Sequence, residues 1–287
     1  MKGVTVLVAF LALAGATVAQ AAPPQEPSRS VEQNARLTEL VLRDGSRLYG
    51  TVVSQTDDDV VFRTQSGTTL TVMRSEVFSM RAVDGVITGG EFLPSDPHVT
   101  RMFFGPTARA LKRGQAYTGL YAMFMPMFQV GITDRISIGA GTPLLLFALG
   151  DGKDFPFWIT PKVQVFNGAK TQVAVGAFHG MAGHESAGIG YVVATHGTVA
   201  SSFTVGVGGA YASENAGSPV LMFGAERQTR RNLKVITENY VWRGGYGVVT
   251  GGVRFFGEKM STDVAAVIPV GEGGLFVGAL INFVYIF

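Results

Sequence analysis

From Gln115 to the end of the chain, apolar and polar positions alternate with a period of two, in runs broken by short turn-rich stretches. That period belongs to strands whose two faces meet different surroundings. About twelve runs can be read: Gln115–Ala122, Met125–Thr133, Ile136–Leu144, Phe157–Phe166, Thr171–Met181, Gly188–Thr195, Ser202–Ala212, Val220–Gln228, Lys234–Arg243, Tyr246–Phe256, Ser261–Val270 and Leu275–Phe287. Most have the length of a tilted strand crossing the hydrocarbon layer, roughly 9–11 residues. In the last run Val277, Ala279, Ile281, Phe283, Tyr285 and Phe287 share one face, and Gly278, Leu280, Asn282, Val284 and Ile286 share the other. In water such a strand is an aggregation hazard; against lipid it is a wall. The expected fold class is therefore all-β, a transmembrane antiparallel up-and-down β-barrel of about 12 strands over residues 114–287, closed by the final strand. Between Met123 and Phe128 the one turn residue is Pro126, so a count of ten or eleven stays open.

The connections fit that topology. Asp134-Arg135, Asn167–Lys170, His196–Ser201, Thr229–Leu233 and Gly257–Met260 are short and fall on one side, the periplasmic side if the N-terminal part is periplasmic. The longest connection, Leu145 to Pro156, falls on the other.

Upstream the pattern has a shorter beat. Thr38–Arg43, Arg47–Ser54, Asp59–Thr64, Thr68–Arg74 and Val77–Ala82 are rich in Val, Leu, Thr and Phe, with Asp44-Gly45 and Ser66-Gly67 as hairpin turns. They predict a small five-stranded barrel over residues 35–84. Residues 22–34, rich in Pro, Gln, Glu and Ser, read as a linker. Residues 85–113 read as a second linker and lead-in to the large barrel. Its basic run, Arg109, Lys112 and Arg113, suits either a contact with anionic lipid head groups or a solvated turn at the barrel mouth. Residues 1–21 have the form of a signal peptide: Lys2, an apolar run from Val4 to Ala19, and a small-x-small site at Ala19-Gln20-Ala21.

Composition sharpens the picture. The chain is 47% hydrophobic and 15% charged, with 38 Gly and 20 Phe among 287 residues. An apolar exterior over a small-residue or polar interior accounts for that balance. A formal net charge of +2 gives no ground for a nucleic-acid partner. The absence of Cys excludes disulfides, thiol catalysis and Cys-ligated metal.

Face alternation sorts the charges. In Tyr246–Phe256 the positions Val249, Gly251, Val253 and Phe255 face lipid, and Arg254 faces in. By the same parity Asp263, Glu226, Lys162 and Gln164 face in, because charge on the lipid face costs roughly 2–4 kcal/mol for Arg or Lys near mid-membrane. Glu226, Glu238, Arg254 and Asp263 fall in the periplasmic half of neighbouring strands. With Lys162 they are the lumen candidates, either a structural network that fills a narrow interior or a constriction that selects a cation or polar solute. Trp158, Trp242 and Tyr240 fall near outer strand ends, as an aromatic girdle would.

Candidate chemistry is sparse. His184-Glu185-Ser186 places an imidazole and a hydroxyl two residues apart, the spacing of a base and a nucleophile on one strand face. Its Gly-rich surroundings predict an outer loop instead. His179, His184 and His196 lack metal-ligand spacing, and Asp57-Asp58-Asp59 lacks the spaced ligands of a calcium loop. No phosphate-binding or dinucleotide motif is present, and no cofactor is expected.

Four resemblances bear on these readings. L-V-L-R-D-G-S-R-L-Y-G-T-V-V, with Asp44, Gly45 and Gly50, resembles an SH3-like or Sm-like module. The Sm-like RNA role does not carry to an exported copy. His184 and Ser186 resemble the His-x-Ser pair of the outer-membrane phospholipase A family, which is also a twelve-stranded barrel. The Asn that orients the His in that family has no counterpart in Thr195–Thr198. The unit from Gln129 to Gly139, Q-V-G-I-T-D-R-I-S-I-G, and the block from Phe103 to Tyr117 resemble bacterial outer-membrane β-barrel proteins. The alternating aromatics ending at Phe283, Tyr285 and Phe287 resemble the signal read by the barrel-assembly machinery. Together these imply the outer membrane of a Gram-negative-type bacterium, with the N-terminal module in the periplasm, where a protein or peptidoglycan would meet it. The implied function is of transport or porin-like type, passing or binding a small solute. The alternative is a structural anchor whose periplasmic module docks a partner. A lipid esterase using His184 and Ser186 is the distant third.

Overall fold

The computed structural model describes residues 37–145, 156–212, 217–271 and 277–287. The expected signal peptide and first linker lie outside the described residues, as does most of the long 145–156 connection.

The upstream runs form a five-stranded antiparallel sheet: β1 (Thr38–Leu42), β2 (Arg47–Gln55), β3 (Asp59–Thr64), β4 (Thr69–Met73) and β5 (Val77–Ala82), in the order β4-β3-β2-β1-β5. Leu40, Phe62 and Val72 form its buried core. β2 bends where its register on β3 shifts between Val52 and Ser54. Just before the bend, a Cβ on Gly50 would lie 2.0 Å from the Arg63 carbonyl oxygen, so the close crossing admits no side chain. A two-stranded hairpin follows, β6 (Gly85–Thr88) and β7 (Glu91–Pro94), where the sequence suggested linker.

The large barrel is built from β8 (Ala116–Tyr121), β9 (Met125–Gly131), β10 (Ile136–Gly141), β11 (Phe157–Ile159), β12 (Lys162–Asn167), β13 (Thr171–Ala182), β14 (Glu185–Gly197), β15 (Ser201–Ala212), β16 (Pro219–Arg230), β17 (Leu233–Trp242), β18 (Tyr246–Phe256), β19 (Met260–Val270) and β20 (Gly278–Ile286). β11 and β12 are one wall strand interrupted at Thr160-Pro161: both pair with β10 and with β13. Proline carries no N–H for the ladder, so the break falls where a ladder bond is already missing. Counted so, the wall has twelve strands. It closes where β20 pairs with β8, Val284 opposite Gly119 and Ile286 opposite Tyr117. Closure leaves no unpaired edge, a requirement for sheet in hydrocarbon.

The face assignment follows the sequence parity. Leu221, Phe223, Val249, Phe255, Val264 and Phe283 stand exposed on the outer surface, while Lys162, Glu226, Arg254 and Asp263 are buried inside. Two aromatic assignments change. Trp158 and Tyr240 turn inward: Trp158 stacks on Phe178, and Tyr240 hydrogen-bonds Glu238. Sitting near a strand end does not fix which face a residue takes, and here parity does. Trp242 shares the parity of Tyr240 and is partly exposed at the strand end.

The doubtful break between the first two wall strands is a three-residue connection, Ala122 to Phe124. Ala122 and Met123 both have positive φ, 49° and 67°, and the Phe124 N–H donates to the Tyr121 carbonyl. A hairpin turn normally takes Gly or Asn at these positions, and their absence hides it from the sequence. Among the described residues no helix is long and apolar enough to cross a membrane.

Candidate functional site

Residues 95–112, read above as a lead-in at the mouth, run inside the barrel. The Gln228 side chain donates to the Pro94 carbonyl at the rim carrying the short turns, and the Arg113 N–H donates to Asp134 in another of those turns. Between these points the chain enters, reverses and leaves by the same rim. Its reversal is a short antiparallel pair: Arg101 bridges Pro106, Met102 N–H donates to the Gly105 carbonyl, and Thr107 N–H to the Thr100 carbonyl. Met102, Phe103, Thr107 and Ala108 have no solvent exposure at all.

Inward side chains of the wall hold this hairpin through its backbone. Glu238 takes the tip. Its Oε2 accepts from the N–H groups of Phe103 and Phe104 at 2.7 and 3.0 Å, and its Oε1 from Gly105 N–H at 3.0 Å and the Tyr240 hydroxyl at 2.7 Å. Lys162 clamps both legs, donating from Nζ to the carbonyls of Thr100, Thr107 and Arg109 at 3.2, 3.1 and 2.7 Å. Asn282 donates to the Phe103 carbonyl, Gln164 to that of Ala108, and Ala108 N–H donates to Thr195. A buried backbone group without a partner costs roughly 1–3 kcal/mol, so each such side chain offsets a real penalty.

Around Asp96 lies a connected ion-pair network. Its Oδ2 is 2.8 Å from Lys234 Nζ and 3.1 Å from Arg254 Nη1. Lys234 continues to Glu226 at 3.2 Å, and Glu226 to Arg109 at 2.6 Å. Arg254 forks onto Asp263, Nε to Oδ1 at 2.6 Å and Nη2 to Oδ2 at 3.1 Å. It also donates to the carbonyls of His98, Arg101 and Met102. Burial of an ion costs several kcal/mol unless partners surround it. Here two of those partners, Asp96 and Arg109, come from the hairpin. Wall and insert therefore neutralise each other.

Each sequence candidate can now be placed. Arg254 and Asp263 meet directly, and Glu226 joins them through Lys234 and Asp96. Glu238 and Lys162 stand apart, each on its own stretch of the hairpin. Phe283 and Tyr285 face outward near the chain end, and Tyr285 packs edge-on against Phe287. His184 occupies the two-residue turn between β13 and β14, and Ser186 lies opposite Met181 in the ladder, so the expected loop is a tight hairpin tip. His179 stacks on Tyr211 and hydrogen-bonds its hydroxyl at 2.7 Å. His196 pairs with Thr171 at the opposite rim.

Sequence reasoning missed Asp96, His98, Arg101 and Lys234, and it read Arg109 as meeting lipid head groups or solvent, whereas Arg109 is buried inside the barrel on Glu226. Gly105-Pro106 flanked on both sides by Arg and Thr marked a turn between two polar legs. No periodicity said that those legs sit in a lumen.

Above the hairpin tip, on the side of the long connections, the lumen opens into a cavity of about 350 Å³. Phe104 and Gly105 are part of its floor, and β13 to β17 supply its wall.

A closed antiparallel wall of twelve strands, apolar outside and charged inside, defines a transmembrane β-barrel, here one filled in part by its own chain. No family model matches the sequence, and no curated protein matches it. Among solved structures it is similar to the KdgM porin, alone and in complex with disordered oligogalacturonate, at 5% and 6% identity and TM-score 0.46, covering 60% of this chain and 98% of that one. It is also similar to OmpT, an outer membrane protein of Vibrio cholerae, in a loop-deleted form, at 12% identity and TM-score 0.34, covering 88% of this chain and 97% of the other.

Proposed function

We propose that this protein is an outer-membrane barrel of transport or porin-like type that in its resting form binds a small solute instead of passing it. The apolar belt of Leu221, Phe223, Val249 and Phe255 supports the membrane location. The barrel-assembly machinery would read the terminal strand through Phe283, Tyr285 and Phe287. The observation that carries the reading is the hairpin of residues 95–112, which occupies the short-turn half of the lumen and leaves a chamber above it. A wall of twelve strands is narrow, and one hairpin with its ion pairs fills its section.

The test is conductance. In planar bilayers the intact protein is expected to be electrically silent. A variant with residues 97–110 replaced by a short Gly-Ser link is expected to conduct, because water would then solvate Lys162, Glu226, Arg254 and Asp263. A refolded deletion variant that stays silent overturns the transport reading.

The filled lumen also favours a second reading, an anchor that holds the β1–β5 sheet, the expected SH3-like module, in the periplasm for a protein or peptidoglycan partner. Under it the deletion variant would lose stability without gaining conductance. A lipid esterase draws no support from the turn position of His184.

A further inference from the structure

The chamber above the hairpin has a definite chemistry. Its apolar surface comes from Phe104 at the tip and from Phe178, Ile189, Val193, Val220 and Met222 on the wall. Gly206 and Gly208 face it from β15 in place of larger side chains, which leaves the room.

Among the described residues two charged groups reach the chamber, Arg101 and Glu238, and both are spent. Arg101 donates from Nε to Tyr117 and Gln129, from Nη1 to the Phe104 carbonyl, and from Nη2 to Gln129 and Thr160. Glu238 is saturated by three backbone N–H groups and a tyrosine hydroxyl. They are also opposite in sign, so the chamber offers a net charge to neither anion nor cation. The polar groups left to a ligand are hydroxyls. Tyr240 gives its proton to Glu238, so its oxygen keeps lone pairs free to accept. Tyr191 lies on the wall with its hydroxyl on Thr160.

We infer that the chamber is a binding site for a small uncharged ring compound carrying a hydroxyl, its rings against Phe104, Phe178 and Met222 and its O–H donating to Tyr240. The inference rests on the solute-binding reading above and names its solute class. A cavity of about 350 Å³ lies at the small end of ligand sites and accepts two fused rings. The β14–β15 and β15–β16 ladders are continuous beside it, and the hairpin closes it below.

Titration calorimetry on the full chain in detergent, with a matched detergent blank, tests this with two probes that share a ring system, 1-naphthol and naphthalene-1-sulfonate. The expected result is saturable 1-naphthol binding, at least about tenfold tighter than the sulfonate. Ile189→Phe should weaken it by about tenfold or more by filling the chamber. If Ile189→Phe does not refold, Val220→Phe serves the same purpose from the neighbouring wall. Equal or tighter binding of the sulfonate overturns the inference, as does 1-naphthol binding that survives the filled variant, which would mark partition into the micelle. No 1-naphthol binding together with a conducting deletion variant overturns the inference and leaves the transport reading standing. No binding and no conductance overturns both.

Discussion

Glu39 sits in the small sheet, 2% exposed, with three donors converging on one carboxylate. Tyr49 donates to Oε1 at 2.7 Å, Arg47 to Oε1 at 3.2 Å and Arg81 to Oε2 at 2.7 Å. Burial pushes the Glu39 carboxyl up, but the hydrogen bonds from Tyr49 and Arg81 and the charges of Arg81 and Arg47 outweigh it and hold it below its ordinary value. A carboxylate depressed in the folded state stabilises the fold above its unfolded value of about 4.3. That contribution is lost as pH falls through the lower folded value. Hydrogen exchange of β1 and β2 amides is therefore expected to speed up as pH drops below about 4, after correction for intrinsic rates, and Glu39→Gln should flatten the profile. A wild-type profile as flat as the variant's would show that the cluster carries no linkage. Little of this was readable at the residue level. Alternation told which face Arg254 and Glu226 take, but not that their partners are Asp96 and Arg109, because pairing in a lumen is set by contacts more than 100 residues apart.

Among the elements, the turn at Ala122-Met123 is the one built against its sequence. Each left-handed non-glycine residue costs about 1–2 kcal/mol. The Ala122 N–H is held by Asn282 and the Met123 N–H by the Ile281 carbonyl, so the turn is pinned to the closing strand β20. Met123→Gly should relieve the strain and stabilise the barrel by about 1 kcal/mol, seen as a higher urea midpoint with unchanged slope. No shift would mean that Met123 packing compensates. Wall strands were legible because each carries its own two-sided pattern, and every one of the twelve runs became wall. The hairpin of residues 95–112 was not legible. Side chains of both parities, among them Met102, Phe103, Thr107 and Ala108, are buried in it, so it shows no two-sided pattern, and its polar groups read as solvated until the barrel supplies their partners.

For the whole molecule, the outward apolar surface requires a hydrocarbon surround. Val264 stands on it, 45% exposed, between Val253 and Ile281 on the neighbouring strands. Val264→Arg should cost about 2–4 kcal/mol in reversible unfolding from lipid vesicles, and Asp263→Asn one position away should act through the lumen instead, by releasing Arg254. A negligible cost at Val264 would mean that lipid does not touch it.

Because both legs of the internal hairpin pass out through one rim, the polypeptide is nowhere threaded through the ring of strands. Withdrawing the segment would break its side-chain bonds to the wall but no ladder bond between wall strands, as a loop of rope can be pulled from a pipe by the end it went in. The cylinder and its stopper are thus topologically separable although they are one molecule. Any force applied to the stretch just before Ser95 is delivered first to Asp96, at the junction of Lys234 and Arg254.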